Sequence, residues 1–231
     1  MSGSIQQELM NADITLYTNP RSRGCIVHWM LQEVGVRYEL RYLRYGDEMR
    51  TSDFLRLNPL GKVPVLRHDG RIVTETAAIC AYLADAFPEA GLAPSPRRRD
   101  RYYRWLFVAA GPLEMCTTHR MCGYSPEAEQ EAMLGYRSVA EMTDLMESAL
   151  TDTSYLAGSS FTAADVYVGA HIGWGMEMGI WERRPALEMY WQRLSARPAY
   201  RKAKELDAYA TEELSARESG ITGRTRDGEV A

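Results

Sequence analysis

The sequence has no apolar run that approaches the ~20 residues a helix needs to cross a bilayer. Its first residues, MSGSIQQELMNAD, lack the basic segment and apolar core of a secretory signal. Cysteine is scarce, and the spacing of the four cysteines is not that of a disulfide framework: they are Cys25, Cys80, Cys116 and Cys122. These absences exclude a membrane-spanning helix and predict free thiols in a reducing, cytoplasmic location.

Excess charge of one sign is also missing, because 27 Lys and Arg residues oppose 31 Asp and Glu residues. The resulting net charge of −4 gives no general attraction to nucleic acid or to a membrane, and we expect neither as a partner. The one dense basic run, Arg97 to Arg101, is interrupted by Asp100, as in a solvated helix start. With 231 residues, 45% of them apolar, the chain suffices for one or two globular domains.

Residues 12–91 alternate short apolar runs with helical patterns. The predicted elements are strand 14–17, helix 24–34, strand 37–43, short helix 53–57, strands 63–66 and 71–73, and helix 75–87. His68-Asp69-Gly70 supplies a hairpin turn between the last two strands, and Thr74 is predicted to be the N-cap of the last helix. The β-α-β-α-β-β-α order predicts an α/β domain with a mixed sheet.

Residues 97–210 show no strand pattern and predict an all-α domain, joined to the first by the linker GLAPSP. Its helices are expected at 97–122, 126–150, 162–179, 185–195 and 198–208. Thr162 and Asp165 form a predicted capping box, whose role is structural. Residues 215–231 have few apolar side chains to bury, so we expect a flexible tail there and a second at residues 1–11.

Three segments carry residue types that suit ligand chemistry, and the first is NPLGKVPVL at 58–66. Proline inside an apolar strand run removes a ladder donor, so Pro64 marks a strand edge left open. If the Val63–Pro64 bond is cis, the backbone of Val63 faces outward and can pair with a small peptide as an extra strand. An edge proline that only blocks aggregation is an equally weighted alternative.

The second segment, TETAAIC at 74–80, opens a helix directly after the hairpin. The first-turn N–H groups of Thr76 and Ala77, with the Thr76 hydroxyl, make an anion site. Glu75 adds a carboxylate that can hold an ammonium group, so the segment suits an amino-acid head group. A capped helix with a favourable acid near its positive end is the simpler alternative.

The third segment is LYTNPRSRGC at 16–25, where the first strand leads into the first helix. The Ser22 hydroxyl can donate to an anion there, and the helix start and Arg23 favour negative charge. A bound thiol, with an ordinary pKa of about 8.5, would ionise more easily at such a place. The alternative is that Ser22 only caps the helix.

In this order, the three segments resemble the glutathione transferase superfamily, over residues 14–208 and as a soluble, bacterial-like member. The resemblance implies a thioredoxin-like first domain followed by the family's all-helical domain. It implies that Val63, before a cis Pro64, pairs with the cysteinyl backbone of glutathione. It also implies that Glu75 and Thr76 bind the γ-glutamyl head, although the family usually has serine at the second position.

The family activates sulfur with Tyr, Ser or Cys, and Ser22 matches the serine of its theta-like classes. Those classes often place a histidine near the glycyl end of glutathione, where this chain has Met49 followed by Arg50. Lys62 matches a basic residue that helps there. Arg23, Arg50 and Lys62 therefore complete the glutathione contacts that the resemblance implies.

The second substrate is expected between the two domains, because the first long helix of the family's helical domain borders that pocket. Tyr103, Met115 and His119 are predicted to line it. Trp174 and Met178 are further candidates, although an aromatic residue and a methionine four positions apart are more often core.

Cys116, His119 and Cys122 are spaced three apart on a predicted helix, and both residue types bind zinc. No fourth ligand is apparent, so we predict no metal ion and expect glutathione as the only cosubstrate. Cys25 matches a cysteine that theta-like enzymes carry just inside the helix, where it is packed core.

We therefore expect a cytoplasmic glutathione transferase in which Ser22 stabilises the glutathione thiolate for attack on a small electrophile. Isomerase, peroxidase and disulfide reductase reactions start from the same thiolate and stay open as alternatives. A non-catalytic glutathione-binding module and a thiol oxidoreductase running through Cys25 are two others. Family members are usually dimers, which implies a homodimer.

Overall fold

The computed structural model describes residues 13–218. Its first half contains β1 Ile14–Thr18, α1 Gly24–Val34, β2 Glu39–Tyr42, α2 Ser52–Leu57, β3 Val65–His68, β4 Arg71–Thr74 and α3 Thr76–Ala86. The four strands form one sheet in the order β2-β1-β3-β4. Strand β1 is parallel to β2 and antiparallel to β3, which is antiparallel to β4. The predicted α/β domain with a mixed sheet is confirmed.

A two-residue turn joins β3 to β4. Asp69 (φ 49°) and Gly70 (φ 76°) both take positive φ values, which tight hairpins of this kind require. The register of the hairpin pairs Val65 with Thr74. Thr74 therefore belongs to the strand, and its prediction as the N-cap of α3 is wrong, because Glu75 occupies that position.

Helix α1 begins close against the end of β1. A Cβ atom on Gly24 would lie 1.8 Å from Oγ1 of Thr18, so only glycine is accommodated there. The helix ends at Gly35, which takes the left-handed conformation (φ 77°) and donates its N–H to the Leu31 carbonyl. The β1–α1 loop is thus held between a buried strand and a largely buried helix.

The second half is helical, as predicted, with α4 Asp100–Val108, α5 Glu114–Met121, α6 Ala128–Glu131, α7 Val139–Ala149, α8 Ala163–Glu177, α9 Pro185–Ser195 and α10 Pro198–Glu218. A π-helical turn, Ala109–Leu113, contains Pro112 and joins α4 to α5. The prediction of one helix over 126–150 is wrong. Residues 132–138 separate α6 from α7, whose start is capped by Ser138 as it accepts the Glu141 N–H (3.1 Å).

Helix α10 continues to Glu218, so residues 215–218, which were expected in a flexible tail, are helical. The rest of that predicted tail and the predicted N-terminal tail lie outside the described residues. None of the helices within residues 13–218 has the length and hydropathy of a membrane span.

Helix α8 is buried along most of its length, and its predicted capping box is confirmed. Asp165 accepts the Thr162 N–H (2.8 Å), as the box requires. Because Asp165 is fully buried, its carboxylate needs further partners, and it accepts from the Leu156 N–H (2.8 Å) and the Tyr190 hydroxyl (2.9 Å). The last of these bonds holds α9 against the start of α8.

Helix α10 returns to the first half and packs along α1. Oδ1 of Asp207 lies 2.8 Å from Nδ1 of His28, which is fully buried. Nε2 of His28 lies 2.9 Å from the hydroxyl of Tyr38. This buried polar chain joins the two halves of the molecule behind the β1–α1 loop.

Candidate functional site

Ser22 lies in the β1–α1 loop, two residues before α1 begins. Its hydroxyl donates to the Asn19 carbonyl (2.7 Å) and accepts the Gly24 N–H (3.0 Å). Both bonds are local and order the turn before the helix, although Arg23 rather than Ser22 occupies the N-cap position. The half-buried Ser22 also lines a cavity of about 810 Å³ between the domains, so its position is compatible with a ligand-binding role as well.

Arg23, the next residue, forms an ion pair across the domain contact with Glu114 at the start of α5. Nε2 of His171 on α8 lies 3.2 Å from the other oxygen of this carboxylate, at an angle poor for a hydrogen bond. Burial alone would raise the pKa of Glu114, but His171 and Arg23 outweigh it and lower that pKa to about 2. The predicted positive charge beside Ser22 is therefore already paired within the protein.

The Val63–Pro64 peptide bond is cis. Within residues 13–218, neither the N–H nor the C=O of Val63 has a hydrogen-bond partner. Asn58 holds the preceding loop, since its side-chain amide donates to the Lys62 carbonyl (2.8 Å) and its Oδ1 accepts the Leu60 N–H (3.1 Å). The backbone of Val63 is thus open to pairing with an extended peptide.

Glu75 takes a strained conformation directly before α3, with φ 71° and ψ 123°. A non-glycine residue in such a region costs about 1–3 kcal/mol, and such strain clusters at functional sites. Its exposed carboxylate makes no capping bond, and Thr76 behind it is 8% exposed. The start of α3 therefore carries an exposed carboxylate that caps no backbone group of the helix.

Two of the residues expected near the glycyl end of the tripeptide are exposed. Met49 is 3% exposed and packs in a small apolar cluster, so it cannot contact a ligand. Arg50 is exposed, and its guanidinium lies against the backbone of Gly61: a Cβ atom there would be 3.1 Å from Arg50 Nη1. Lys62, also exposed, follows directly. The structure therefore brings Arg50 close to the loop that carries Lys62.

The cavity beside Ser22 is walled by α1, the end of α8, α9 and α10. Trp174, Trp191 and Tyr200 contribute aromatic surface to it. The Trp191 and Tyr200 rings meet edge to face with centroids 5.0 Å apart, which fixes that wall. Trp174 is 37% exposed, so the core alternative for this residue is wrong.

The predicted second-substrate residues lie elsewhere. None of Tyr103, Met115 and His119 lines this cavity. Nδ1 of His119 is instead 2.8 Å from the hydroxyl of Tyr136. Met178 is 56% exposed and also lies outside the cavity lining.

Tyr45 is a candidate that sequence reasoning missed. It follows β2 by three residues, and its phenol donates to the carbonyl of Arg21 (3.1 Å) in the β1–α1 loop. The ring is 59% exposed. Only the spatial meeting of two loops identifies it, because tyrosine in a polar loop carries no sequence signal of its own.

Cys25 is unsuited to thiol exchange. Its Sγ donates to the Pro20 carbonyl (2.8 Å). Burial raises the pKa of this thiol strongly, and the nearby Asp207 carboxylate raises it further. The thiol therefore stays protonated at neutral pH, which weighs against the oxidoreductase alternative.

The three residues with zinc-ligand spacing do not assemble. Cys116 is buried, whereas Cys122 is exposed. Over residues 13–218, no group of three or more His, Cys, Asp and Glu side chains is arranged to hold a metal ion.

Both halves of the chain match family models. Residues 12–85 match the N-terminal domain of glutathione S-transferase, and residues 110–198 match its C-terminal domain. The chain is 30% identical over 183 residues to glutathione S-transferase GstB of Escherichia coli, an alignment that covers 74% of this chain and 88% of the relative.

Solved structures agree in fold. A glutathione transferase of Methylococcus capsulatus superposes with a TM-score of 0.72 at 30% identity, over 85% of this chain and 99% of that one. A sphingomonad glutathione S-transferase complexed with glutathione superposes with a TM-score of 0.70 at 27% identity, over 84% of this chain and 98% of that one.

Proposed function

The chain belongs to the glutathione S-transferase family and is a glutathione transferase, and we propose that it binds and activates glutathione through Ser22, Val63, Glu75 and Thr76. The observation that carries this proposal is the start of α3, where a strained Glu75 holds an exposed carboxylate beside first-turn N–H groups. Such a pair suits the ammonium and carboxylate groups of a γ-glutamyl head.

The remaining contacts follow from the neighbouring loop. The open backbone of Val63 pairs with the cysteinyl residue as an added strand. Arg50 and Lys62 supply positive charge for the glycyl carboxylate. Arg23 contributes less than its position suggests, because Glu114 already pairs with it.

The chemistry requires a thiolate, since a free thiol with a pKa of about 8.5 is mostly protonated at neutral pH. Ser22 exchanges its bond to Asn19 for one to the sulfur and stabilises the negative charge. The thiolate then attacks the electrophile: a carbon–sulfur bond forms, the leaving group departs with its bonding pair, and the thiol proton goes to water. Holding both reactants converts a bimolecular step into a positioned one, and no metal ion is needed.

The electrophile binds in the cavity beside Ser22, whose volume of about 810 Å³ lies in the range of small-molecule sites. Tyr103, Met115 and His119 remain the alternative wall for this substrate.

We also propose a cytoplasmic homodimer. Exposed Leu60 (64%) and Phe107 (73%) are candidates for a buried contact with a second copy, and all four cysteines are free.

Calorimetry with glutathione, followed by a titration of the bound thiol by its thiolate absorbance, tests the proposal. Ser22→Ala should raise the thiol pKa and slow conjugation, because it removes one hydrogen bond to the anion. Ser148→Ala is the control, since that exposed hydroxyl also bonds a local carbonyl (3.0 Å). Binding without turnover over a broad electrophile panel would instead identify a non-catalytic module.

A further inference from the structure

Tyr45 places a second hydroxyl beside Ser22. Its phenol bonds to the Arg21 carbonyl (3.1 Å), one residue before Ser22. Burial raises the pKa of Tyr45, although the charge of Arg23 acts in the opposite direction. The phenol thus lies against the loop that carries Ser22 and keeps its proton over the pH range in which a thiolate forms.

Both hydroxyls can turn to a ligand without leaving a buried group unpaired. Ser22 donates to the Asn19 carbonyl, which also accepts the Ser22 N–H (3.0 Å), so that carbonyl keeps one bond when the hydroxyl turns away. Tyr45 donates to Arg21, which is exposed, so water can replace the phenol on that carbonyl at little cost. Redirecting the Tyr45 proton to a ligand is therefore inexpensive, as it is for Ser22.

We propose that Tyr45 is a catalytic residue whose phenol leaves the Arg21 carbonyl and donates a hydrogen bond to the glutathione sulfur, alongside Ser22. This inference rests on the proposed glutathione site. No proton is transferred from the phenol: the thiol proton goes to water, and the thiolate keeps its charge while accepting the O–H bond.

The test compares Tyr45→Phe with Ser22→Ala and with the double variant. Tyr45→Phe keeps the ring and removes only the proton donor, so the thiol pKa of bound glutathione should rise by about one unit. The pH profile of kcat/KM should move by the same amount, and kcat near neutral pH should fall about tenfold. Glutathione affinity measured by calorimetry below the pKa of the bound thiol should change little, because the contacts to the tripeptide are intact and the hydrogen bond to a thiolate is not formed there.

Tyr124→Phe is the matched control, because that phenol is exposed and bonds Gln130 (2.9 Å) at the far end of α5. A larger thiol pKa shift in the double variant than in either single variant supports two donors. An unchanged thiol pKa in Tyr45→Phe, with a shift in Ser22→Ala, would overturn the role of Tyr45 and leave the proposed function standing. Loss of affinity without a pKa shift would reduce Tyr45 to a loop contact. No glutathione binding by the unaltered protein would reject both proposals.

Discussion

Polar groups on the two sides of Ser22 differ in whether they have partners within the protein. On the side of the sheet hairpin, the backbone of Val63 has no hydrogen-bond partner within residues 13–218, and the exposed carboxylate of Glu75 makes no capping bond. On the side of the helical domain, Arg23 is paired with Glu114, and the buried His28 is bonded to Asp207. One side carries polar groups without partners in the described part of the chain, whereas the other uses its polar groups to join the domains.

This difference has an energetic reason. Leaving a buried polar group without a partner costs about 1–3 kcal/mol, so the fully buried His28 must be paired before any ligand arrives. Exposed groups such as Glu75 are solvated by water and can remain without a protein partner. Charge near the sulfur is therefore not by itself a sign of binding, because such a charge can already be paired within the protein, as Arg23 is with Glu114.

The largest effect is expected at the domain contact. Asp207→Ala leaves the fully buried His28 without its partner on α10, and leaving a buried polar group without its hydrogen-bond partner typically costs about 1–3 kcal/mol. Denaturant unfolding should show this loss, whereas Asp152→Ala in an exposed loop should change the free energy of unfolding little. If Asp207→Ala removed glutathione binding at unchanged stability, the division between the two sides would be wrong.

Glu114 should give the next largest effect, which is a change in how the stability of the fold depends on pH. Its native pKa is about 2 against an ordinary 4.5, so its pairing stabilises the fold above pH 4.5, and this contribution is lost as the pH falls toward 2. The contribution is at most about 3 kcal/mol, since one unit corresponds to roughly 1.4 kcal/mol and the side chain is 27% exposed. The free energy of unfolding of Glu114→Gln should be lower than that of the parent protein near neutral pH. It should also change less as the pH falls toward acid. Parallel pH profiles for the variant and the parent protein would contradict the pairing.

Most of the fold could be predicted because its signals are local. The helix over 24–34 has an apolar face and a terminal glycine, and the Asp69-Gly70 turn needs two positive φ values, which these residue types tolerate. The interruption at 132–138 was missed because the residues around it are polar enough for an exposed helix. The strand end at Thr74 was missed because threonine suits both a strand and a cap.

The candidate site could be predicted only where it is built from contiguous segments. The open backbone at Val63-Pro64 and the place of Glu75-Thr76 at the start of α3 could be predicted from the sequence, because each depends on the conformation of two adjacent residues. Partners that come from distant parts of the chain could not. Glu114 lies 91 positions from Arg23, and no local pattern marks such a pair.

Glu75 tests the ligand side of the comparison. Glu75→Gln keeps the backbone geometry but removes the charge that faces the ammonium group, and hydrogen bonds to charged groups contribute about 1.5–3 kcal/mol. We expect glutathione affinity to fall about thirtyfold by calorimetry, with little change in unfolding free energy. The control is Glu89→Gln, in an exposed 3₁₀ turn after α3. A loss of stability equal to the loss of affinity would mean that Glu75 is structural, like the paired acids.

The smallest effect is on the binding of the second substrate. It shows which wall of the pocket between the domains this substrate contacts. Trp174→Ala removes an exposed aromatic wall of the cavity beside Ser22, and such a contact is typically worth about 0.5–1.5 kcal/mol. The KM for an aryl halide should therefore rise about fivefold. His119→Ala should leave KM nearly unchanged, because that ring is bonded to Tyr136 and lies outside the cavity lining.

Met178→Ala is the matched control for Trp174→Ala, since it is an exposed apolar residue one turn further along that does not line the cavity. An effect of His119→Ala larger than that of Trp174→Ala would move the substrate to the wall formed by Tyr103 and Met115. The helical domain would then have paired charges near α1 and ligand-contacting groups near α5. In that case, the surface that joins the domains and the surface that binds ligand would both lie on the helical domain, and Ser22 would not mark the boundary between them.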